Sequence, residues 1–246
     1  MNLVNGDCLE VLKTLPDKSV DLVICDLPYG VTKCDWDTKI DLNLLWKQLL
    51  RVGKKNTPYF FFCKFKFGME IVSACNLIDP KIFRYDLVWN KNRLTNPLTA
   101  RYGFANSHEL ILVFYEKKPI YNYAKYHTEN NKIYQKTGWC KLTNKVSNTR
   151  GQAYEPLLPL SIIECTNNMG KKVLRSTQKP VPILEKIIKY YSNEGDTILD
   201  PTMGSGSTGE ACINLNRQFI GIEMEKECFE IAKNRLDSIV AFLKNG

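Results

Sequence analysis

Two short stretches, far apart in the chain, carry residue types whose order and spacing could do chemistry. The first is Asp26-Leu27-Pro28-Tyr29. It sets side by side a carboxylate, a main-chain carbonyl stiffened by proline, and an aromatic ring. An acceptor, a rigid carbonyl and a π face suit a flat heterocycle that bears an exocyclic amine. The second is Asp200-Pro201-Thr202-Met203-Gly204-Ser205-Gly206-Ser207-Thr208-Gly209. Its 204–209 portion matches G-x-G-x-x-G, and Glu223 follows at about the ~20-residue offset at which an acidic group reaches a ribose hydroxyl. Read literally this is a dinucleotide fingerprint, which makes NAD one candidate cofactor. Asp200 weighs against it, because a carboxylate at the mouth of the loop repels the pyrophosphate that a helix N-terminus otherwise attracts. The same carboxylate favours adenosine joined to a cationic amino-acid tail, which describes S-adenosylmethionine.

The elements that must hold these stretches follow from periodicity. Residues 20–25 form a mostly apolar run of strand length. Pro28 cannot donate to a sheet ladder and disfavours helix at Leu27, so the strand ends there. Its C-terminal edge is the place where open α/β sheets bind ligands. Upstream, Cys8, Val11, Leu12 and Leu15 fall at helical spacing behind Asp7, a capping residue type. Downstream, Leu42, Leu45, Trp46, Leu49 and Leu50 make a helical stripe that stops near Gly53. Residues 58–63 read as a buried strand, 68–74 as a short helix, and 84–89 and 110–115 as two further strands. Pro182 opens a helix running through Tyr191; strands at 197–200 and 219–223 flank a helix at 208–216. A last helix turns Phe229, Ala232, Leu236, Ile239, Val240 and Leu243 inward. Alternating strands and helices predict an α/β fold built on a mostly parallel, twisted sheet.

From 116 to 172 the periodicity fails, and Asn, Lys, Tyr, Thr and Gly dominate. So long a stretch inside a compact domain is either functional or disordered, and its aromatics argue for function. Charge points the same way. The chain of 246 residues has a formal net charge of +8, and the 115–180 window, with 12 Lys and Arg against 4 Asp and Glu, holds all of that excess. Tyrosines and a tryptophan interleave the lysines, a pattern suited to a polyphosphate with stackable bases. The 9 cysteines are scattered without a Cys-x-x-Cys pair, and the 2 histidines, His108 and His127, are isolated, so neither a disulfide framework nor a metal site is expected. With no stretch of membrane-spanning length and no signal-peptide layout, a cytoplasmic protein is expected.

Taken together these residues resemble the amino-group DNA methyltransferases, which make N6-methyladenine or N4-methylcytosine. Asp26-Leu27-Pro28-Tyr29 is similar to that family's Asp-Pro-Pro-Tyr motif, residues 200–208 to its cofactor loop, and Arg175-Ser176-Thr177-Gln178-Lys179-Pro180 to its His-Pro-Thr-Gln-Lys-Pro motif. The order, catalytic motif first and cofactor loop last, is that of the β class. The resemblance implies a Rossmann-like methyltransferase fold with permuted motif order. Residues 1–115 would form its catalytic half, 116–172 an inserted target-recognition segment, and 173–246 its cofactor-binding half.

It further implies Asp26, Pro28 and Tyr29 as catalytic residues. Asp26, Asp200, Pro201, Met203, Gly204, Ser205, Gly206 and Thr208 would contact S-adenosylmethionine, with Glu223 on the ribose and Asp7 and Cys8 on the adenine edge. Thr177, Gln178 and Lys179 would close the site, Lys179 near the cofactor carboxylate. Lys91, Arg93, Arg101, Lys125, Lys132, Lys136, Lys141, Lys145 and Arg150 would contact double-stranded DNA. The departures are Leu27 for the family's first proline and Arg175-Ser176 for His-Pro. An aspartate at position 26 leans toward adenine, so the resemblance implies N6-adenine methylation in a specific sequence, by base flipping and direct in-line transfer. N4-cytosine methylation is the alternative within the family. Outside it stand an NAD-dependent oxidoreductase, which has no use for the basic segment, and a catalytically silent nucleic-acid-binding relative, which has no reason to keep Asp26, Pro28 and Tyr29. A homodimer and a cognate restriction enzyme are the protein partners the family implies.

Overall fold

Tyr59-Phe60-Phe61-Phe62-Cys63 is buried along its whole length, as is Leu22-Val23-Ile24-Cys25. Strands buried on both faces belong in the middle of a sheet covered by helices on either side. In the computed structural model, which describes residues 1–28, 39–93, 101–122, 159–165 and 178–245, they occupy that position. The elements are β1 (Asn2–Asn5), α1 (Cys8–Thr14), β2 (Leu22–Cys25), α2 (Leu42–Val52), β3 (Tyr59–Cys63), α3 (Phe65–Asn76), β4 (Phe83–Asn90), β5 (His108–Phe114), β6 (Ile162–Glu164), α4 (Val181–Tyr191), β7 (Thr197–Asp200), α5 (Ser207–Asn214), β8 (Gln218–Glu223) and α6 (Lys226–Asn245). Eight strands form one sheet in the order β1-β8-β7-β2-β3-β5-β4-β6. Every neighbouring pair is parallel except those made by β5, which runs against both β3 and β4.

The pleat sorts side chains into two cores. Val23, Cys25, Tyr59, Phe61 and Cys63 face α1, α2 and α3, where Trp46 lies 4.9 Å from Phe61 and 4.9 Å from Phe114, centroid to centroid. Leu22, Ile24, Phe60 and Phe62 face α4, α5 and α6 through Ile183, Leu184, Ile187, Ala211 and Leu236. Each such aromatic contributes roughly 1.5–3 kcal/mol of burial, which fixes the register of the central strands. Three residues of the irregular 116–172 stretch join the sheet: Ile162–Glu164 pair with β4 as edge strand β6. The last helix departs from expectation at its far end, where Phe242 and Leu243 are exposed because the helix has run past the sheet. Among the described residues no helix is long and apolar enough to cross a membrane.

The topology creates one crevice. Chain leaving β2 passes through α2 to β3 on one side, whereas chain leaving β7 passes through α5 to β8 on the other. Since β2 and β7 are parallel neighbours, with Leu22 opposite Ile198 and Val23 opposite Leu199, their C-terminal ends open onto the same divide.

Candidate active site

Asp26-Leu27-Pro28 leaves β2 and Asp200-Pro201-Thr202 leaves β7, and the two turns touch. The Thr202 hydroxyl donates to the Asp26 main-chain oxygen at 3.2 Å. Leu27, 3% exposed, plugs into the core on the α1–α3 side and anchors the first turn.

The second turn is a carboxylate cradle. Asp200 is buried; its Oδ2 accepts from the Thr208 hydroxyl at 2.6 Å and its Oδ1 from the Thr202 N–H at 3.1 Å. Burial pushes the Asp200 carboxyl up to about 7, against those two hydrogen bonds, which favour the ionised form. Gly204 and Gly206 adopt positive φ, 52° and 79°, and Gly206 starts α5 in the left-handed region that side chains disfavour. Glu223, at the end of β8, reaches across: Oε2 accepts from the Gly204 N–H at 3.1 Å and Oε1 from the Glu225 N–H at 2.8 Å. From α6, Arg235 donates to the Ser205 carbonyl at 2.8 Å and to the Ser207 hydroxyl at 3.3 Å, tying the loop down. Met203 points away from the cleft into the second core, where a Cβ on Gly221 would meet its Sδ at 2.4 Å; its side chain is a packing element and only its backbone lies on the loop. Asp7 caps α1 by accepting from Leu9 N–H at 2.7 Å and Glu10 N–H at 3.3 Å. It stands next to Glu223, whose main chain takes the Gly6 N–H at 3.0 Å. The Cys8 thiol is pushed up to about 12 by burial and then by Asp7, so it is a poor nucleophile.

Across the divide the charges come in pairs. Lys179, just before α4, donates to Asp26 Oδ2 at 2.5 Å, lies 5.4 Å over the Phe62 ring, and has Glu109 Oε2 at 3.8 Å. Glu109 Oε1 accepts from Lys91 at 2.5 Å, and Lys91 lies 4.8 Å over the Trp89 ring. Lys91, expected to contact DNA, is 9% exposed and ion-paired, because it shares strand parity with buried Trp89 and faces inward. Lys179, expected beside a cofactor carboxylate, is paired here with the partly buried Asp26. Burial raises Asp26 above the ordinary aspartate value despite the pull of Lys179. Burial works against the charge on Lys179, but Asp26 and Glu109 outweigh it and hold the ammonium above the ordinary lysine range.

Glu109 and Arg235 were not singled out in the sequence. Glu109 had a signal: it shares parity with Ile111 and Val113, both buried, so an acid at that position must point into the protein. Arg235 had none, since a basic residue on a terminal helix normally faces water. Gln178 Oε1 is buried without a hydrogen-bond donor among the described residues. Arg93 and Arg101 are exposed. Tyr29, Thr177, Lys125, Lys132, Lys136, Lys141, Lys145 and Arg150 lie outside the described residues.

Comparison with known proteins places this arrangement. A protein-family profile described as DNA methylase matches residues 20–234. The Type II methyltransferase M.HpaI of Haemophilus parainfluenzae is 30% identical over 248 residues, covering 96% of this chain and 74% of the relative. M2.DpnII of Streptococcus pneumoniae, also a Type II methyltransferase, is 30% identical over 265 residues, covering 97% and 90%. Among solved structures, the M1.HpyAVI–SAM complex superposes with a TM-score of 0.68 at 27% identity, covering 96% of this chain and 98% of the other. The PvuII cytosine-N4-specific DNA methyltransferase shares the fold, with a TM-score of 0.71 at 14% identity over 95% of this chain and 85% of the other.

Proposed function

The chain belongs to the DNA methylase family, and from that premise we propose that it is an S-adenosylmethionine-dependent methyltransferase acting on the exocyclic N6 of adenine in a specific DNA sequence. The observation that carries this reading is the contact between the two turns, Thr202 to Asp26 at 3.2 Å, which brings an amine-accepting carboxylate and a nucleoside-type loop to one crevice.

The cleft residues fit the cofactor. Asp200 and Glu223 hold carboxylates on neutral donors, leaving negative charge for a cationic ligand. Gly204 has nothing within 4 Å of where a Cβ would stand, so the loop is open to a ligand. The orphaned Gln178 Oε1 offers an acceptor for a ligand N–H. In this reading Asp200, Pro201, Gly204, Ser205, Gly206 and Thr208 hold the amino-acid part, Glu223 the ribose, and Asp7 with the Cys8 backbone the adenine; Thr177 and Gln178 close the site. The cofactor supplies a methyl group made electrophilic by a sulfonium.

The chain's own residues prepare the amine. Conjugation with the ring makes its nitrogen a poor nucleophile. Asp26 accepts one N–H and the Leu27 or Pro28 carbonyl the other, which holds the nitrogen nearer tetrahedral with its lone pair toward the loop. Alignment of this kind can be worth ~7–11 kcal/mol. A carboxyl raised by burial is also a better base for the proton the methylated amine sheds. The base must leave the duplex to get there, at a cost of a few kcal/mol, and Tyr29 is the platform we assign for stacking it. Arg93 and Arg101, with the basic residues between 125 and 150, would neutralise phosphates, and residues 116–172 would choose the site. The Type II designation of the relatives supports a cognate restriction enzyme as partner. A homodimer and a cytoplasmic location complete the proposal.

The test is incubation of the protein with methyl-labelled S-adenosylmethionine and unmethylated genomic DNA, followed by nucleoside analysis. Label in N6-methyldeoxyadenosine is expected. Label in N4-methyldeoxycytidine, or none in DNA at low salt, would overturn the assignment. Light scattering checks the dimer.

A further inference from the structure

The Asp26 carboxylate is already engaged. Asp26, read as the acceptor of the target amine, accepts from Lys179 at its Oδ2, 2.5 Å away. An ammonium cannot be discarded into a buried site without another anion to receive it. One stands ready: Glu109 Oε2 is 3.8 Å from the same nitrogen, is buried, and has no hydrogen-bond partner among the described residues, while the other oxygen is held by Lys91. Movement of Lys179 Nζ by about 1 Å toward Oε2 would bring it within hydrogen-bond distance of Glu109 and loosen its hold on Asp26. The path is lined for a cation, since the Phe62 ring lies 5.4 Å beneath it. Glu109 itself is fixed, opposite Trp89 in the β4–β5 ladder, and β5 delivers it to this edge only because it runs antiparallel to β3 and β4.

We infer that Glu109 is a positioning residue for methyl transfer, the alternative anion onto which Lys179 shifts when the target amine takes Asp26. This rests on reading Asp26 as the amine acceptor. The exchange keeps Lys179 charged and paired throughout, so base entry has only to move an ion pair rather than break one. Without the Glu109 carboxylate the ammonium stays on Asp26 and competes with the amine.

The experiment compares the parent, Glu109→Gln, and Glu109→Gln combined with Lys179→Met, using labelled S-adenosylmethionine and unmethylated genomic DNA at pH 8.5. Glu109→Gln should lower kcat by about 10–100-fold with the S-adenosylmethionine Kd changed less than about threefold. Removing the competing ammonium in the same background should raise kcat at least about fivefold over Glu109→Gln. If Glu109→Gln is unstable because it strands Lys91, the same comparison is made in a Lys91→Met background. A Glu109→Gln protein as fast as the parent, or a combined variant no faster than Glu109→Gln, overturns the inference alone. A parent that transfers no label overturns the functional reading and this inference with it.

Discussion

The two sides of the crevice hold their carboxylates in opposite ways. On the β7–β8 side, Asp200 and Glu223 are satisfied by neutral donors, the Thr208 hydroxyl and the N–H groups of Thr202, Gly204 and Glu225. On the β2–β5 side, Asp26 and Glu109 are paired with ammonium groups, Lys179 and Lys91. Neutral donors keep a carboxylate in place without supplying an opposite charge, so the first side, when ionised, attracts a cation. Ion pairs cancel charge, so the second side presents hydrogen-bonding groups at little net charge, which suits an uncharged base. The contrast matches two ligands of different charge with two kinds of packing.

The largest effect expected from breaking it is at Asp26. Asp26→Ala should lower methyl transfer by about 10²–10⁴-fold while S-adenosylmethionine affinity, measured by calorimetry, stays within about threefold. Transfer at the parent rate would mean that the ion-paired side has no part in the chemistry. Next comes Asp200→Asn, which keeps the size but removes the charge. Cofactor affinity should fall about 10–100-fold, the range for a charge-assisted contact.

The same substitution sharpens the comparison through pH. The folded protein raises Asp200 from 3.8 to about 7, so it favours the neutral acid, and the parent loses stability from this group as pH rises from about 4 to 7. Asp200→Asn does not carry that cost. Its Tm in the absence of ligand, relative to the parent, should therefore climb across that window; a constant difference would show that Asp200 is not held neutral by burial.

Smaller effects are expected from the packing beneath the loop. A Cβ at Gly209 would meet Leu236 Cδ1 at 2.7 Å and Phe219 Cε1 at 2.9 Å. Gly209→Ala should cost about 1–3 kcal/mol in urea unfolding, and parent-like stability would mean that α5 can lift off β8 freely. Smallest is Asp7→Ala, with about 1 kcal/mol lost from the α1 cap. Asp7→Ser restores the cap but not the carboxylate, so its cofactor affinity separates the two roles. Affinity equal to the parent in Asp7→Ser would leave Asp7 as a cap and nothing more.

What could be read from the chain was local. The strand before Pro28, the Tyr59–Cys63 strand, the helix behind Asp41, and the Asp200–Glu223 unit all lie within runs whose periodicity or turn chemistry is complete in itself. The glycine loop was legible for the same reason: Asp200, the glycines, Thr208 and Glu223 lie within 24 consecutive residues, 200–223. The ion-paired side could not be read so directly. Lys91 looked like one more surface lysine, although its parity with Trp89 in β4 marks it as inward-facing. For Lys179 the motif pointed to a cofactor carboxylate, while its pairing with Asp26 and its approach to Glu109 depend on groups far away in the chain.

By itself the sequence determined which residues could do chemistry, that each of the two stretches lies at a strand end, and that the fold is α/β with a nucleoside-type loop. Only the tertiary structure decided how the charges are distributed. That depends on β5 entering the sheet backwards, which carries Glu109 to the edge where Asp26 and Lys179 already lie. Strand direction is set by packing over the whole sheet, and ion pairs form between groups that packing brings together, 153 positions apart in the case of Lys179 and Asp26. Local patterns of spacing carry no record of either.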